Sequence, residues 1–319
     1  GKKMTVCQLY AKQIRHRGNV RYNTKNGRKR LMKLLEEDKL GGCPIDSVKL
    51  SDAKEWAIRM KEKGISYKTI SNDKRSLKAA FYTAIQDDCI RKNPFDFQLN
   101  TVIEDDTEPK VPLTPAQEES FLSFAQNDKV YQKYYDELII LLGTGLRISE
   151  LCGLTDTDIN FENRIINVDH QLLRSAETGY YIETPKTKIG IRQIPMSEKV
   201  YEAFNRVLKR RRGAKAVTID GYSNFLFLNR DGYPKTATNY DGMFRGLAKK
   251  YNKYHEEALP KVMTPHTLRH TFCTNMANAG MNPKALQYIM GHSNITMTLN
   301  YYAHATFDSA KAEMLRIAA

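Results

Sequence analysis

The chain has 319 residues, 41% hydrophobic and 27% charged, which suffices for two domains with their own cores and argues against a disordered polymer. It has no apolar run near the roughly 20 residues that span a bilayer, no apolar signal-peptide core in the opening GKKMTVCQLY, and five cysteines without CxxC spacing; a membrane span, a disulfide scaffold and a zinc ribbon are therefore not expected. A net charge of +14 and an isoelectric point near 9.4 point instead to a polyanionic partner and a cytoplasmic protein with reduced thiols.

The basic excess is concentrated at one end. Residues 1–100 hold 23 Lys and Arg against 11 Asp and Glu, whereas the remainder hold 27 against 25. Nucleic acid fits this better than a membrane surface, because the cations do not line one amphipathic helix. Helical spacing predicts helices over 6–17, 27–40, 51–63 and 66–87, punctuated by Gly41-Gly42, Gly64 and Asn93-Pro94. An all-α, basic domain is expected over residues 1–105. The acidic, proline-bearing stretch NTVIEDDTEPKVPLTP has no helical period, and a linker is placed at 106–113.

A second domain is expected over 114–319. Thr114-Pro115 is a cap-plus-proline helix start, an apolar helix follows at 135–142, and after Gly143-Thr144-Gly145 the segment LRISELCGL resumes helical spacing. INFENRIINVDHQLL, with a turn at Asn163, and YYIETPKTKIGIRQIPM, which alternates on both sides of a turn bearing Lys186 and Lys188, predict strands. Helices return from Ser197 and dominate to the end. The predicted class is mainly α with a small antiparallel β-sheet, an α+β domain preceded by an all-α domain.

Four separated motifs carry the chemistry. TPHTLRHTF opens a helix with His266 and Arg269 one turn apart near an N-terminus that favours an anion. GTGLRISEL sets Arg147 where a glycine-flanked break feeds a helix, with Glu150 one turn on to hold the guanidinium. MGHSN places His292 after Gly291, and NYYAHA offers Tyr301 and Tyr302. Singly, each has an ordinary reading: a surface ion pair, solubilising turn lysines, packed tyrosines. Together with the turn lysine Lys186 of TPKTKIGIR they supply two arginines, a lysine, two histidines and a tyrosine, without paired carboxylates or metal-ligand spacing. Two guanidinium groups can neutralise the non-bridging oxygens of a phosphodiester, so the set suits phosphoryl transfer without a metal.

The order TGLRISEL, a turn lysine before IRQIP, HTLRH, GHS and then a tyrosine resembles the tyrosine recombinase family of phage-type integrases. The likeness covers residues 114 to the end and is greatest to the integrases of Gram-positive conjugative transposons. The basic first third is similar to the family's core-binding domain by position and charge. The resemblance implies that Arg147 and Arg269 clamp the scissile phosphate, Lys186 protonates the leaving 5′ oxygen, His266 assists proton transfer and His292 hydrogen-bonds the phosphate. A tyrosine would form a 3′-phosphotyrosyl link. Spacing from GHS leaves Tyr301 and Tyr302 both open; Tyr302-Ala303-His304 matches the Tyr-x-His form common in the family, so Tyr302 is the expected nucleophile and Tyr301 the alternative. No cofactor, metal or ATP is expected, and no Walker-type loop is present.

The implied partners are double-stranded DNA at element ends and target sites, accessory DNA-bending or excision factors, and further copies of the chain in a dimer-to-tetramer synapse on DNA, with no membrane. In the tail AHATFDSAKAEMLRIAA, Phe307, Ala310, Met314, Leu315 and Ile317 recur at helical spacing, and this segment is expected to pass to a neighbouring protomer. Integrases of this group also carry an arm-binding domain, and Gly1-Lys2-Lys3 without an initiating methionine fits a piece of a longer protein. The competing readings are a type IB topoisomerase-like strand cutter and a non-catalytic DNA-binding protein of the same fold.

Overall fold

A computed structural model describes residues 3–18, 20–185, 188–211, 213, 216–302 and 307–318, with the backbone alone at 307–309. The chain forms two compact units, Gly1–Pro109 and Lys110–Ala319.

The first unit holds α1 (Val6–His16), α2 (Tyr22–Glu36), α3 (Leu50–Glu62) and α4 (Tyr67–Gln86). Thr5 and Gln8 close α1 with a capping box, and the Ser66 hydroxyl caps α4. The apolar faces meet around Trp56, whose ring stands edge-on to Phe95 at 5.7 Å, and Phe95 lies 5.4 Å from Phe81. Helix α2 departs from the expected 27–40. It begins five residues earlier and runs through Gly27, because Leu31 and Leu35 are buried on one face and that burial outweighs the roughly 1 kcal/mol a helical glycine costs. It ends at Glu36 because Asp38 turns inward, accepting from Leu40 N at 2.9 Å and from Arg59 at 2.8 and 2.7 Å.

The second unit is built around α6 (Tyr135–Thr144), in which Leu138, Ile139, Ile140, Leu141 and Leu142 are all buried; a helix apolar on every side belongs at the centre of a core. Preceding it is α5 (Pro115–Asn127), and following it are α7 (Ile148–Gly153), α8 (Glu198–Arg211), α9 (Ala237–Tyr254), α10 (Pro265–Asn278), α11 (Pro283–Met290), the single turn α12 (Thr296–Leu299) and α13 (Phe307–Ala318). Helices α8 and α10 pack on α6. The mainly helical fold with small antiparallel sheets is the class the sequence predicts.

The strand pairing is not the expected one. The strands are β1 (Ile159–Asn160), β2 (Ile165–Val168), β3 (Gln171–Ser175), β4 (Gly179–Glu183) and β5 (Arg192–Pro195). Rather than pairing with β5 around the lysine-rich turn, β4 pairs with β3, and β5 joins β2 in a separate sheet of order β1-β2-β5. The turn at 176–178 closes β3 onto β4 locally, with Ser175 Oγ accepting from Thr178 N at 2.9 Å, and a short closure costs less entropy than a longer one. The chain then crosses to β2, where Ile194 opposes Ile166 and both are buried. Lysine-rich residues 184–191 thus join two sheets. The expected helical run from Ser197 is also interrupted: residues 216–236 are non-helical, and Phe225, Leu226 and Phe227 there are core residues.

Candidate active site

The site forms where α6, α7, α10 and α11 end or begin. Gly145 closes α6 in the left-handed region, φ 65°, and a Cβ there would fall 2.4 Å from Phe272 Cδ1, so only glycine suits both conformation and space. The chain then extends through Arg147, the N-cap of α7. The Arg147 backbone N–H donates to Glu150 Oε2 at 2.9 Å and its Nη1 to Glu150 Oε1 at 2.8 Å. Its Nη2 donates to the Gly291 carbonyl at 3.0 Å.

That carbonyl is one of three at the end of α11, each of which takes an arginine. Arg269 Nη2 donates to the Met290 carbonyl at 2.6 Å, and Arg192 Nε to the Ile289 carbonyl at 2.6 Å. The last carbonyls of a helix have no partner within it and carry the negative end of its dipole, so they accept cations. Gly291 turns away in the left-handed region, φ 62°, and a Cβ there would come within 3.1 Å of Arg192 Nη1.

Glu150 completes the arrangement. Arg192 meets it with two hydrogen bonds, 2.9 and 2.8 Å, in the parallel fork geometry of a strong pair. Burial alone would raise the Glu150 pKa, but the Arg192 hydrogen bonds and charge, backed by Arg147 and Arg269, hold it down at about 2. Arg269 is pushed down to about 9 by burial and by the charge of Arg147, and stays cationic at neutral pH. Burial, then the charges of Arg269, Arg147 and Arg192, push His292 down to about 4, so its imidazole is neutral at pH 7; its Nδ1 lies 3.0 Å from Thr298 Oγ1. Three guanidiniums against one carboxylate leave a positive surplus, as a phosphate pocket needs.

His266 is exposed on the first turn of α10 and is among the charges acting on His292. Lys186 lies outside the described residues; Lys188 begins the short turn Lys188–Gly190. The two tyrosines diverge. Tyr301 Oη sits 2.8 Å from His270 Nδ1, the rings 5.0 Å apart, and the Arg269 charge acts on it, although burial and the nearby Cys273 thiol raise its pKa to about 12. Tyr302 Oη instead donates to the Met281 carbonyl at 2.5 Å, and Arg269 is not among the charges that move it.

Sequence reasoning passed over Arg192, and it noted His270 in TPHTLRHTF without giving it a role. Arg192 sits on the inward face of β5, in register with buried Ile194, so strict alternation in IRQIP was a signal for an inward cation. Asp158, Asp169 and His170 bring ligand atoms within 4.8 Å of one another. Both His170 nitrogens are engaged, however, with Asp169 Oδ1 and the Gly153 carbonyl, each at 2.6 Å, so the group ties the end of α7 to β3.

A buried carboxylate that organises arginines beside a tyrosine suits phosphoryl transfer. The chain belongs to the Phage integrase family, whose model it matches over residues 112–309, and it is a tyrosine recombinase, an enzyme that breaks and rejoins DNA. It is 69% identical over 317 residues to the transposase from transposon Tn916 of Enterococcus faecalis, an alignment covering 99% of this chain and 78% of that one. It is 77% identical to the Tn1549 transposon integrase solved in complex with a circular intermediate DNA, with a TM-score of 0.94 over 99% of this chain and 100% of that one. Lambda integrase bound to a core site, at 16% identity and a TM-score of 0.62 over 93% of this chain and 94% of that one, shares the fold.

Because the folded-state pKa of Glu150 is depressed below its ordinary 4.5, its stabilisation is present above that pH and lost as pH falls toward 2. Glu150→Gln should strand the Arg192 guanidinium at a cost of about 3–5 kcal/mol at pH 7, and flatten stability against pH in the window 4.5 to 2. Urea unfolding across that range checks both; an unchanged slope would contradict the assignment.

Proposed function

We propose that this chain is a site-specific recombinase that excises and integrates a mobile element, cutting and rejoining double-stranded DNA at the element's ends and targets through a 3′-phosphotyrosyl intermediate. The observation that carries this reading is the gathering of Arg147 and Arg269 beside neutral His292 and Tyr301. Arg147 and Arg269 take the non-bridging oxygens of the scissile phosphate, and His292 donates a hydrogen bond to it. His266 assists proton transfer, and Lys186 protonates the departing 5′ oxygen. In the first unit, a cavity of about 520 Å³ lined by Lys25, Arg28, Lys29 and Lys33 offers contacts to a DNA backbone. The unit Gly1–Pro109 is read as the core-binding domain and Lys110–Ala319 as the catalytic domain.

The nucleophile is Tyr301, not the Tyr302 that the Tyr-x-His form suggests. Its hydroxyl lies on a histidine within reach of the Arg269 charge, whereas Tyr302 points to Met281. The solved Tn1549 integrase chains support this: their lysine-for-arginine and phenylalanine-for-tyrosine changes are spaced as Arg147 and Tyr301 are, one short of the interval to Tyr302. With a suicide DNA substrate from the element's ends, Tyr301→Phe should abolish the SDS-stable adduct and leave DNA binding nearly unchanged, while Tyr302→Phe keeps it. The adduct should also form in EDTA, since the guanidiniums supply the charge stabilisation; strict dependence on Mg²⁺ would overturn this mechanism.

Assembly runs through α13. Met314, Leu315 and Ile317 are 74, 63 and 72% exposed on it, and the Phe307 side chain lies outside the described residues. An apolar face left in water favours docking on a neighbouring protomer over packing on its own domain. Deleting residues 307–319 should therefore impair cooperative binding to two-site DNA more than binding to one site in gel-shift titrations. Equal loss on both would show that the segment only stabilises its own domain.

A further inference from the structure

Resting on Tyr301 as the nucleophile, we propose that His270 is the general base that takes the phenolic proton when Tyr301 attacks the scissile phosphate. The expected proton-transfer histidine of this helix was His266. His270, one turn of helix further on, holds the reacting oxygen itself: its Nδ1 lies 2.8 Å from Tyr301 Oη, within the reach required of a base.

The tautomer of His270 decides whether Nδ1 can act as a base. An imidazole accepts a proton at Nδ1 only when its other nitrogen carries the hydrogen. The Lys110 backbone acts on the His270 ring in the sense that raises its pKa, as a carbonyl accepting a ring N–H does; with Nδ1 facing Tyr301, that N–H is assigned to Nε2. A carbonyl can only accept, so it fixes the hydrogen on Nε2 and leaves the Nδ1 lone pair on the phenol. Nucleophile, base and orienting acceptor therefore stand in line, the arrangement by which proteins activate a weak nucleophile.

The charges around this line favour the direction of transfer. The titratable and charged groups facing His270 and Tyr301 are Lys110 from the segment before α5, and Arg269 and Cys273 on α10 itself. Burial lowers the His270 pKa below its ordinary 6.5, so the ring is neutral and receptive at pH 7. Tyr301, held at about 12, does not ionise by itself at that pH. Deprotonation must therefore be coupled to attack, and the atoms balance as follows. Tyr301 Oη forms a bond to phosphorus as its proton passes to His270 Nδ1. The bond from phosphorus to the 5′ oxygen breaks, and that oxygen takes its proton from the acid side of the site, the role given above to Lys186. In rejoining, the 5′ hydroxyl attacks and the departing tyrosinate recovers its proton from His270.

The test is single-turnover adduct formation by the full chain. His270→Gln should slow it about 10²–10⁴-fold at pH 7, with DNA binding retained. The wild-type rate should fall as pH drops through the His270 pKa below 6.5, and the variant should lose that limb and climb about tenfold per pH unit. A substrate with sulfur at the bridging 5′ position, which leaves without a proton, should not relieve the defect. Relief by that substrate would place His270 on the leaving-group side and overturn the proposal, as would an unchanged rate or an unchanged acid limb. If the variant misfolds, the ¹⁵N chemical shifts of His270 in the wild-type protein decide: hydrogen on Nε2 supports a base, and hydrogen on Nδ1 overturns it. Failure of the underlying reading shows separately, as adduct formed by Tyr301→Phe.

Discussion

The last carbonyls of α11 and the carboxylate of Glu150 draw Arg147, Arg192 and Arg269 into one small volume. Like charges so close repel, and in a buried setting the repulsion is strong. It is offset by one ionised carboxylate, three helix-end carbonyls and the dipole behind them. Other features follow from that balance. Gly145 and Gly291 are needed because side chains there would collide with Phe272 or crowd Arg192. His292 is neutral because it is buried and, beyond that, three cations face it. Arg192 is fully enclosed, so its own contribution is to hold Glu150 rather than to touch DNA. A lysine in its place could not supply the fork that meets both carboxylate oxygens and a carbonyl at once.

The resting electrostatics keep the proposed nucleophile protonated before DNA arrives. Burial keeps the Tyr301 proton in place despite the nearby arginine. In the proposed mechanism an incoming phosphodiester brings the negative charge that Arg147 and Arg269 would take up, and places the phosphorus against the Tyr301 oxygen beside His270. Reactivity is thus assembled by binding, consistent with energy being spent on the transition state rather than on a standing tyrosinate.

Much of this was legible in the sequence because it depends on local rules. Helix starts at Thr5, Ser66 and Thr114 follow from capping, and Gly145 and Gly291 mark helix ends. The four motifs named Arg147, Arg269 and His292, which the fold brings together. The parts not legible depend on non-local choices. Strand partners turn on which loop closes first, so β4 went to β3. Arg192 sat in a quoted motif but was passed over, since a strand's inward face is known only once its partner is. The choice between adjacent tyrosines turns on which hydroxyl faces His270, and a family spacing that varies by one residue does not decide that.

A crystal structure of the chain on DNA nicked at the scissile position with orthovanadate, which takes up the geometry of the transferring phosphoryl group, tests the central claim most directly. Tyr301 Oη and the 5′ oxygen are expected at the two apical positions of vanadium. Arg147, Arg269 and His292 should lie on the equatorial oxygens, His270 on Tyr301, and Arg192 still on Glu150. Vanadium bonded to Tyr302, or equatorial oxygens held by residues other than the α11-bound arginines, would contradict it.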